Sequence, residues 1–133
     1  MNVLLLSMPD YFEHMPPVAV RMPNGALSSL AGNVDAHHCV AVADLILSQG
    51  RVRETLSRLV HEFDPGVVGL SVMTFQRRTA GRIIDFVRAV KPAAKVVVGG
   101  YDPSLAPEAY EQMGGITSCV AKARLPFGNF YVP

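Results

Sequence analysis

Several residues in this chain have side chains, or backbone freedom, suited to holding a ligand. Ser71, Thr74 and Gln76 group two hydroxyls and an amide at the end of an apolar run, the kind of oriented polar set that a buried ligand needs. Helix capping by Thr74 and a satisfied core hydroxyl at Ser71 account for the same residues without a ligand, and both roles can coexist. Gly99-Gly100, followed by Tyr101, ends a second apolar run. Paired glycines let backbone turn sharply and approach a ligand with no side chain between; an ordinary strand-to-loop turn is the plain alternative. His14 lies among Asp10, Tyr11 and Glu13, in a proline-broken stretch that begins with Met8 and Pro9. Met8, Met15, Met22 and Met73 could line an apolar floor for a large flat ligand, since the thioether chain adapts to irregular shapes. Asp35-Ala36-His37-His38 has the ligand types of a metal site, or of a solvated turn.

The elements that position these residues alternate between strand and helix. Asn2 to Ser7 is a continuous aliphatic run and predicts a buried strand. Met8 to Asn24 contains Pro9, Pro16, Pro17 and Pro23, which exclude a long helix and leave a long, functional-looking loop. Asn24 can cap a short helix over Gly25 to Ala31. Cys39 to Leu45 predicts a second strand. Arg51 to Phe63 predicts an amphipathic helix with Val52, Leu56, Leu59, Val60 and Phe63 on one face. Asp64-Pro65-Gly66 breaks the chain, and Val67 to Met73 predicts a third strand. Thr74 is expected to cap a helix over Phe75 to Val90, ended by Pro92. Lys95 to Gly100 predicts a fourth strand, Pro107 to Met113 a short helix and Ile116 to Ala121 a fifth strand. Strands separated by amphipathic helices imply right-handed crossovers and a parallel sheet. The expected fold is therefore α/β, a Rossmann-like, flavodoxin-like three-layer sandwich with a five-stranded parallel sheet of order 2-1-3-4-5. Ligands of such sheets bind beyond the carboxyl ends of the strands, at the switch point between the first and third. The loops after Ser7 and Met73 and the Gly99-Gly100 turn should share that rim. Asp35 to His38 precedes the second strand and should face away from it.

The chain has 133 residues, half of them hydrophobic and 17% charged, with a formal net charge of +1. One domain is expected over residues 1–123, with an irregular tail over 124–133. The near-neutral balance gives no electrostatic case for nucleic acid or a membrane surface. Cys39 and Cys119 form no C-x-x-C pair and could not alone hold zinc or an iron–sulfur cluster; reduced thiols are expected. The apolar start, Met1 to Leu6, lacks a basic flank and breaks at Pro9. No run approaches the roughly 18 residues of a membrane helix, so a cytoplasmic protein is expected.

The order and spacing of four stretches resemble the cobalamin-binding domain of cobalamin-dependent radical S-adenosylmethionine enzymes. They are Asn2 to Pro9, Met15-Pro16-Pro17, Asp64 to Phe75 and Val96 to Glu108, and the resemblance covers roughly Met1 to Met113. It implies a Rossmann-like domain that holds cobalamin, and hence its cobalt ion, across the carboxyl edge of the sheet. By position, Ser71 would line the cavity for the nucleotide tail and Gly99-Gly100 would let the tail pass. Met8, Pro9, Asp10 and the rest of the first loop, His14 included, would approach the corrin, with Met73, Thr74, Gln76 and Tyr101 on the neighbouring tips. Asp35-Ala36-His37 resembles the start of a D-x-H-x-x-G axial-histidine signature, but Val40 stands where that signature needs glycine. Relatives continue into a C-x-x-x-C-x-x-C cluster motif, whereas this chain runs through Ala121 to Phe127 without one. The expectation is a truncated or stand-alone carrier with no iron–sulfur cluster of its own, not catalytic alone, partnered by a radical S-adenosylmethionine catalytic domain in cis or trans. An uncovered apolar crevice could also drive self-association into a homo-oligomer.

The alternative is a cofactor-free, degenerate doubly wound domain with a regulatory or interaction role. A phosphoacceptor version needs aspartate at the end of the third strand, where Met73 and Thr74 stand. A flavin mononucleotide site needs a hydroxyl- and glycine-rich cradle that the loop after Ser7 lacks.

Overall fold

The computed structural model describes residues 1–12 and 25–113 and the backbone of 117–118. The first-loop residues His14, Met15 and Met22, the Asn24 cap, Cys119 and the 124–133 tail lie outside the described residues, as does the proposed boundary at 123. Four full strands make the sheet: β1 (Asn2–Ser7), β2 (Cys39–Asp44), β3 (Val67–Ser71) and β4 (Lys95–Gly99), all parallel, in the order β2-β1-β3-β4. The expected fifth strand needs correction. Of the run Ile116 to Ala121, the described residues hold a two-residue parallel pairing, Thr117–Ser118 (β5), beside Val97 and Val98, and the others lie outside the described residues.

Among the described residues, five α-helices complete the fold: α1 (Gly25–Gly32), α2 (Val52–Phe63), α3 (Arg77–Val90), α4 (Tyr101–Leu105) and α5 (Pro107–Glu111). Alternate residues of the strands point to opposite faces. Leu4, Leu6, Val68, Leu70, Val96 and Val98 turn one way, into the main core with Val52, Leu56 and Val60 of α2 and Ile83, Ile84 and Val87 of α3. Val3, Leu5 and Val67 turn the other way and meet Leu27 of α1. Helices therefore cover both faces, as the alternating pattern implied. α2 ends where Asp64 takes a left-handed conformation and its N–H donates to the Val60 carbonyl. Pro65, lacking an N–H, stops the helix there.

Two local expectations change. The helix over Phe75 to Val90 begins as a 3-10 turn, Thr74–Gln76, and becomes α-helical only at Arg77. The cap is not Thr74: the Gln76 side-chain carbonyl accepts from the Met73 N–H at 3.0 Å, because Gln76 is long enough to fold back over the first turn. The segment after Gly100 also forms a helix, α4, that its Asp102-Pro103 sequence had concealed. Pro103 sits in the first turn, where its missing N–H costs nothing.

Candidate cofactor site at the carboxyl edge

The tips after β1, β3 and β4 meet on one rim. Parallel register places Ser7 beside Ser71, and Ser71 beside Gly99. One step back, Leu5 lies beside Gly69 and Gly69 beside Val97. Ser7, Gly69, Ser71 and Gly99 all belong to the face that α1 covers, because they follow Val3, Leu5, Val67 and Val97 at two-residue spacing. The Val3, Leu5 and Val67 rows are sealed by α1. The last row, Ser7–Ser71–Gly99, carries only hydroxymethyl groups and a hydrogen. The result is a shelf with Leu5 as its floor: the Leu5 methyl lies where a Cβ on Gly69 would sit, 2.8 Å away. Ser7 and Gly69 were not among the expected site residues. Counting the parallel register from the two serines would have found them.

Around this shelf stands an exposed apolar rim. Met73 is 47% exposed, Phe75 71%, Tyr101 60% and Leu105 65%. These residues sit on the β3 and β4 tips, so the apolar exposure is concentrated at the edge where ligands of such sheets bind.

The rim is held from beneath by polar contacts. Met8 and Pro9 are buried, and the Met8 side chain belongs to the main core. Its carbonyl faces the Gln76 amide at 3.5 Å, a long contact. The Asp10 carbonyl accepts from the Thr79 hydroxyl at 2.9 Å, and its carboxylate accepts from the Gln49 amide at 3.2 Å. The first loop is thus tied to α3 and to the turn after β2. On the other side, Arg77 donates to both oxygens of Asp102 at 2.7 Å, and the Tyr110 hydroxyl donates to the same carboxylate at 2.5 Å. Bidentate, charge-assisted pairing of this kind fixes orientation. Asp102 is 1% exposed. The Arg77 bonds, aided by the Tyr110 and Thr74 hydroxyls, hold its carboxyl down to about 2 against the opposing effect of burial. Burial, then the neighbouring carboxylate, pushes the Tyr110 hydroxyl well above the usual range. The network clamps α3, α4 and α5 together. No sequence motif announced it, since Arg77, Asp102 and Tyr110 meet only through tertiary packing.

Gly100 has a structural duty of its own. Its φ is +107° and ψ −167°, and an added Cβ would lie 2.8 Å from both the nitrogen and the oxygen of Val72. The β4 tip therefore packs on the backbone of the β3 tip, with Val72 N–H donating to the Gly99 carbonyl at 2.8 Å.

Asp35 to His38 lies at the opposite end of the sheet, as expected. Asp35 and His37 bond each other in an exposed turn. Among the described residues no group of three or more His, Cys, Asp or Glu side chains comes together to hold a metal ion. A separate open groove of about 810 Å³ runs along α2 and α3, on the far side of the sheet from the serine shelf. Its wall is built by Arg53, whose guanidinium stacks 5.1 Å from the Phe12 ring and 5.3 Å from the Phe86 ring. None of the expected site residues lines it. We place the site at the rim, where small residues at the strand ends, Ser7 buried and Ser71 and Gly99 half-buried, coincide with exposed apolar groups. No described helix is long and apolar enough to cross a membrane.

Residues 14–130 match the family model of the B12 binding domain. The chain belongs to the B12-binding domain family. A solved structure shares the fold of this B12-binding domain: a radical S-adenosylmethionine methyltransferase, TsrM, from Kitasatospora setae, with tryptophan substrate and the analogue aza-SAM bound. The two agree with a TM-score of 0.65 and 26% sequence identity over 85% of this chain and 22% of the methyltransferase chain. This B12-binding domain therefore corresponds to 22% of that structure's length. No curated protein matches the chain.

Proposed function

We propose that this domain binds cobalamin at the carboxyl edge of its sheet and presents it to a radical S-adenosylmethionine catalytic domain. The observation that carries the reading is the Ser7–Ser71–Gly99 row. Three adjacent strands end on one face in the smallest side chains, beside exposed Met73, Phe75 and Tyr101. A long, part-polar, part-apolar ligand fits such a surface: the small row admits a slender tail, and the rim offers apolar area to a broad ring. Family membership and the likeness to part of a methyltransferase support the same assignment.

Cobalamin, when bound, would supply a cobalt centre able to carry a methyl group. This chain's residues would do the holding. Ser7 and Ser71 would offer hydroxyls to the nucleotide tail, Gly99 would leave room for it, and Leu5, packed over Gly69, would floor the row. Asp10 of the first loop, with Met73, Thr74 and Tyr101, would approach the ring, and buried Met8 and Pro9 would support that loop from beneath. Gln76 would act through Met73 and Met8 by fixing the β3 tip. The exposed rim would be covered by the catalytic domain.

Mixing the chain with hydroxocobalamin and desalting tests the reading. Corrin absorbance should remain with the protein and fall at least tenfold in Ser71→Phe, whose ring would fill the shelf. Wild-type chain that is folded by circular dichroism yet emerges colourless would overturn it.

A further inference from the structure

Strand β2 closes one side of the sheet, and among the described residues no strand pairs with its outer edge. The Cys39 N–H donates inward to the Met1 carbonyl at 3.1 Å. In a parallel ladder the N–H and C=O of one residue point to the same side, and the side alternates along the strand. Cys39, Ala41 and Ala43 therefore bond to β1, while Val40, Val42 and Asp44 turn their backbone groups outward. β2 pairs with β1 alone among the described strands. The outward edge lacks the usual protection. Cys39-Val40-Ala41-Val42-Ala43 contains no charge, proline or glycine, and Val42 is 48% exposed. Natural edges of this length usually carry a lysine, a proline or a bulge that prevents pairing.

We propose that β2 is a self-association edge, and that its occupant is the β2 strand of a second copy. Two copies related by a two-fold axis present the same edge to each other, and the paired strands then run antiparallel. The outward residues must oppose outward residues. Centring the axis on Ala41 sets Val40 opposite Val42 twice, and each pair exchanges two N–H···O bonds. This register keeps the two Asp44 carboxylates at opposite ends and brings each to the His38 end of its partner. A register centred on Val42 would instead set Asp44 against Val40, with no basic group opposite. Two-fold pairing joins the sheets edge to edge and leaves both carboxyl rims open, at opposite ends. Dimerisation is therefore independent of the cofactor reading, and neither result decides the other.

Hydrogen exchange followed by NMR on the full chain, with light scattering at matched concentration, tests the proposal. Scattering at about 100 μM should give twice the 14.4 kDa of one chain. The Val40 and Val42 amides should exchange as slowly as those of Ala41 and Ala43, and at least tenfold faster in Val42→Lys, which should also be monomeric. Val42→Thr, which keeps the strand preference without a charge, should stay dimeric. A monomeric wild type overturns the proposal. So does a dimer in which Val40 and Val42 exchange fast while Ala41 and Ala43 are protected, since another surface must then hold it together.

Discussion

Gly100→Ala is expected to destabilise the cofactor-free chain by about 3 kcal/mol. At φ +107° and ψ −167°, a residue with a side chain pays about 1–3 kcal/mol in backbone strain alone. The new Cβ would also meet the Val72 nitrogen and oxygen at 2.8 Å. That backbone cannot retreat freely, because the Val72 N–H donates to Gly99 at 2.8 Å and its carbonyl accepts from the Asp102 N–H at 3.2 Å. Relieving the clash should sacrifice one of these bonds, at about 1 kcal/mol. In a chain of this size 1 kcal/mol moves the melting temperature by about 3–4 °C, so the loss should be near 10 °C by calorimetry. Gly25→Ala is the matched control. Nothing lies within 4 Å of its Cβ position and it begins α1, so that variant should be neutral or more stable by up to about 1 kcal/mol. Gly100→Ala within about 1 kcal/mol of wild type would refute the packing argument. If such a variant also lost cobalamin, Gly100 would be serving the ligand rather than the fold.

Two further substitutions probe the rim's supports. Asp102 titrates at about 2 in the fold against the usual 3.8, a depressed carboxyl. Its ionised form stabilises the chain above about pH 4, and that contribution, about 2 kcal/mol, drains away as the pH falls from about 4 to 2. Asp102→Asn should be about 2 kcal/mol less stable at pH 7 and should show a shallower acid limb in urea melts; an unchanged acid limb would remove Asp102 from the network. Gln76→Ala should cost about 1–2 kcal/mol, because it strips the Met73 N–H of its acceptor and opens a buried position. Cofactor retention should fall further than stability alone explains, and a variant that holds cobalamin as well as wild type would show that the β3 tip needs no such tether.

Much of the fold was legible because hydrophobic period and breakers agreed. The aliphatic runs at Val3 to Leu6 and Val67 to Leu70, the amphipathic stripe of α2 and the breaks at Asp64-Pro65 and Pro92 fixed four strands, two long helices and the strand order. Where side chains could serve either of two roles, sequence alone could not choose between them. Thr74 had capping chemistry, yet its hydroxyl serves Asp102 and Gln76 does the capping, a choice decided by the β3–β4 packing. Gly100 suggested ligand approach or an ordinary turn, and the packing on Val72, which itself demands a glycine there, shows only in the fold. Gly69 was hidden inside a valine run, and its meaning depends on knowing that Leu5 stands beside it. The Arg77–Asp102–Tyr110 network joins residues from three helices and has no local signal.

The central claim is that the serine shelf receives the nucleotide tail of cobalamin. Titration calorimetry with cobalamin and with cobinamide, which lacks that tail, tests it most directly. Cobalamin should bind at least tenfold tighter than cobinamide, about 1.4 kcal/mol, and Ser71→Phe should erase the difference while leaving cobinamide binding in place. Equal affinity for the two corrinoids, or a preference that survives Ser71→Phe in a folded chain, would contradict the account.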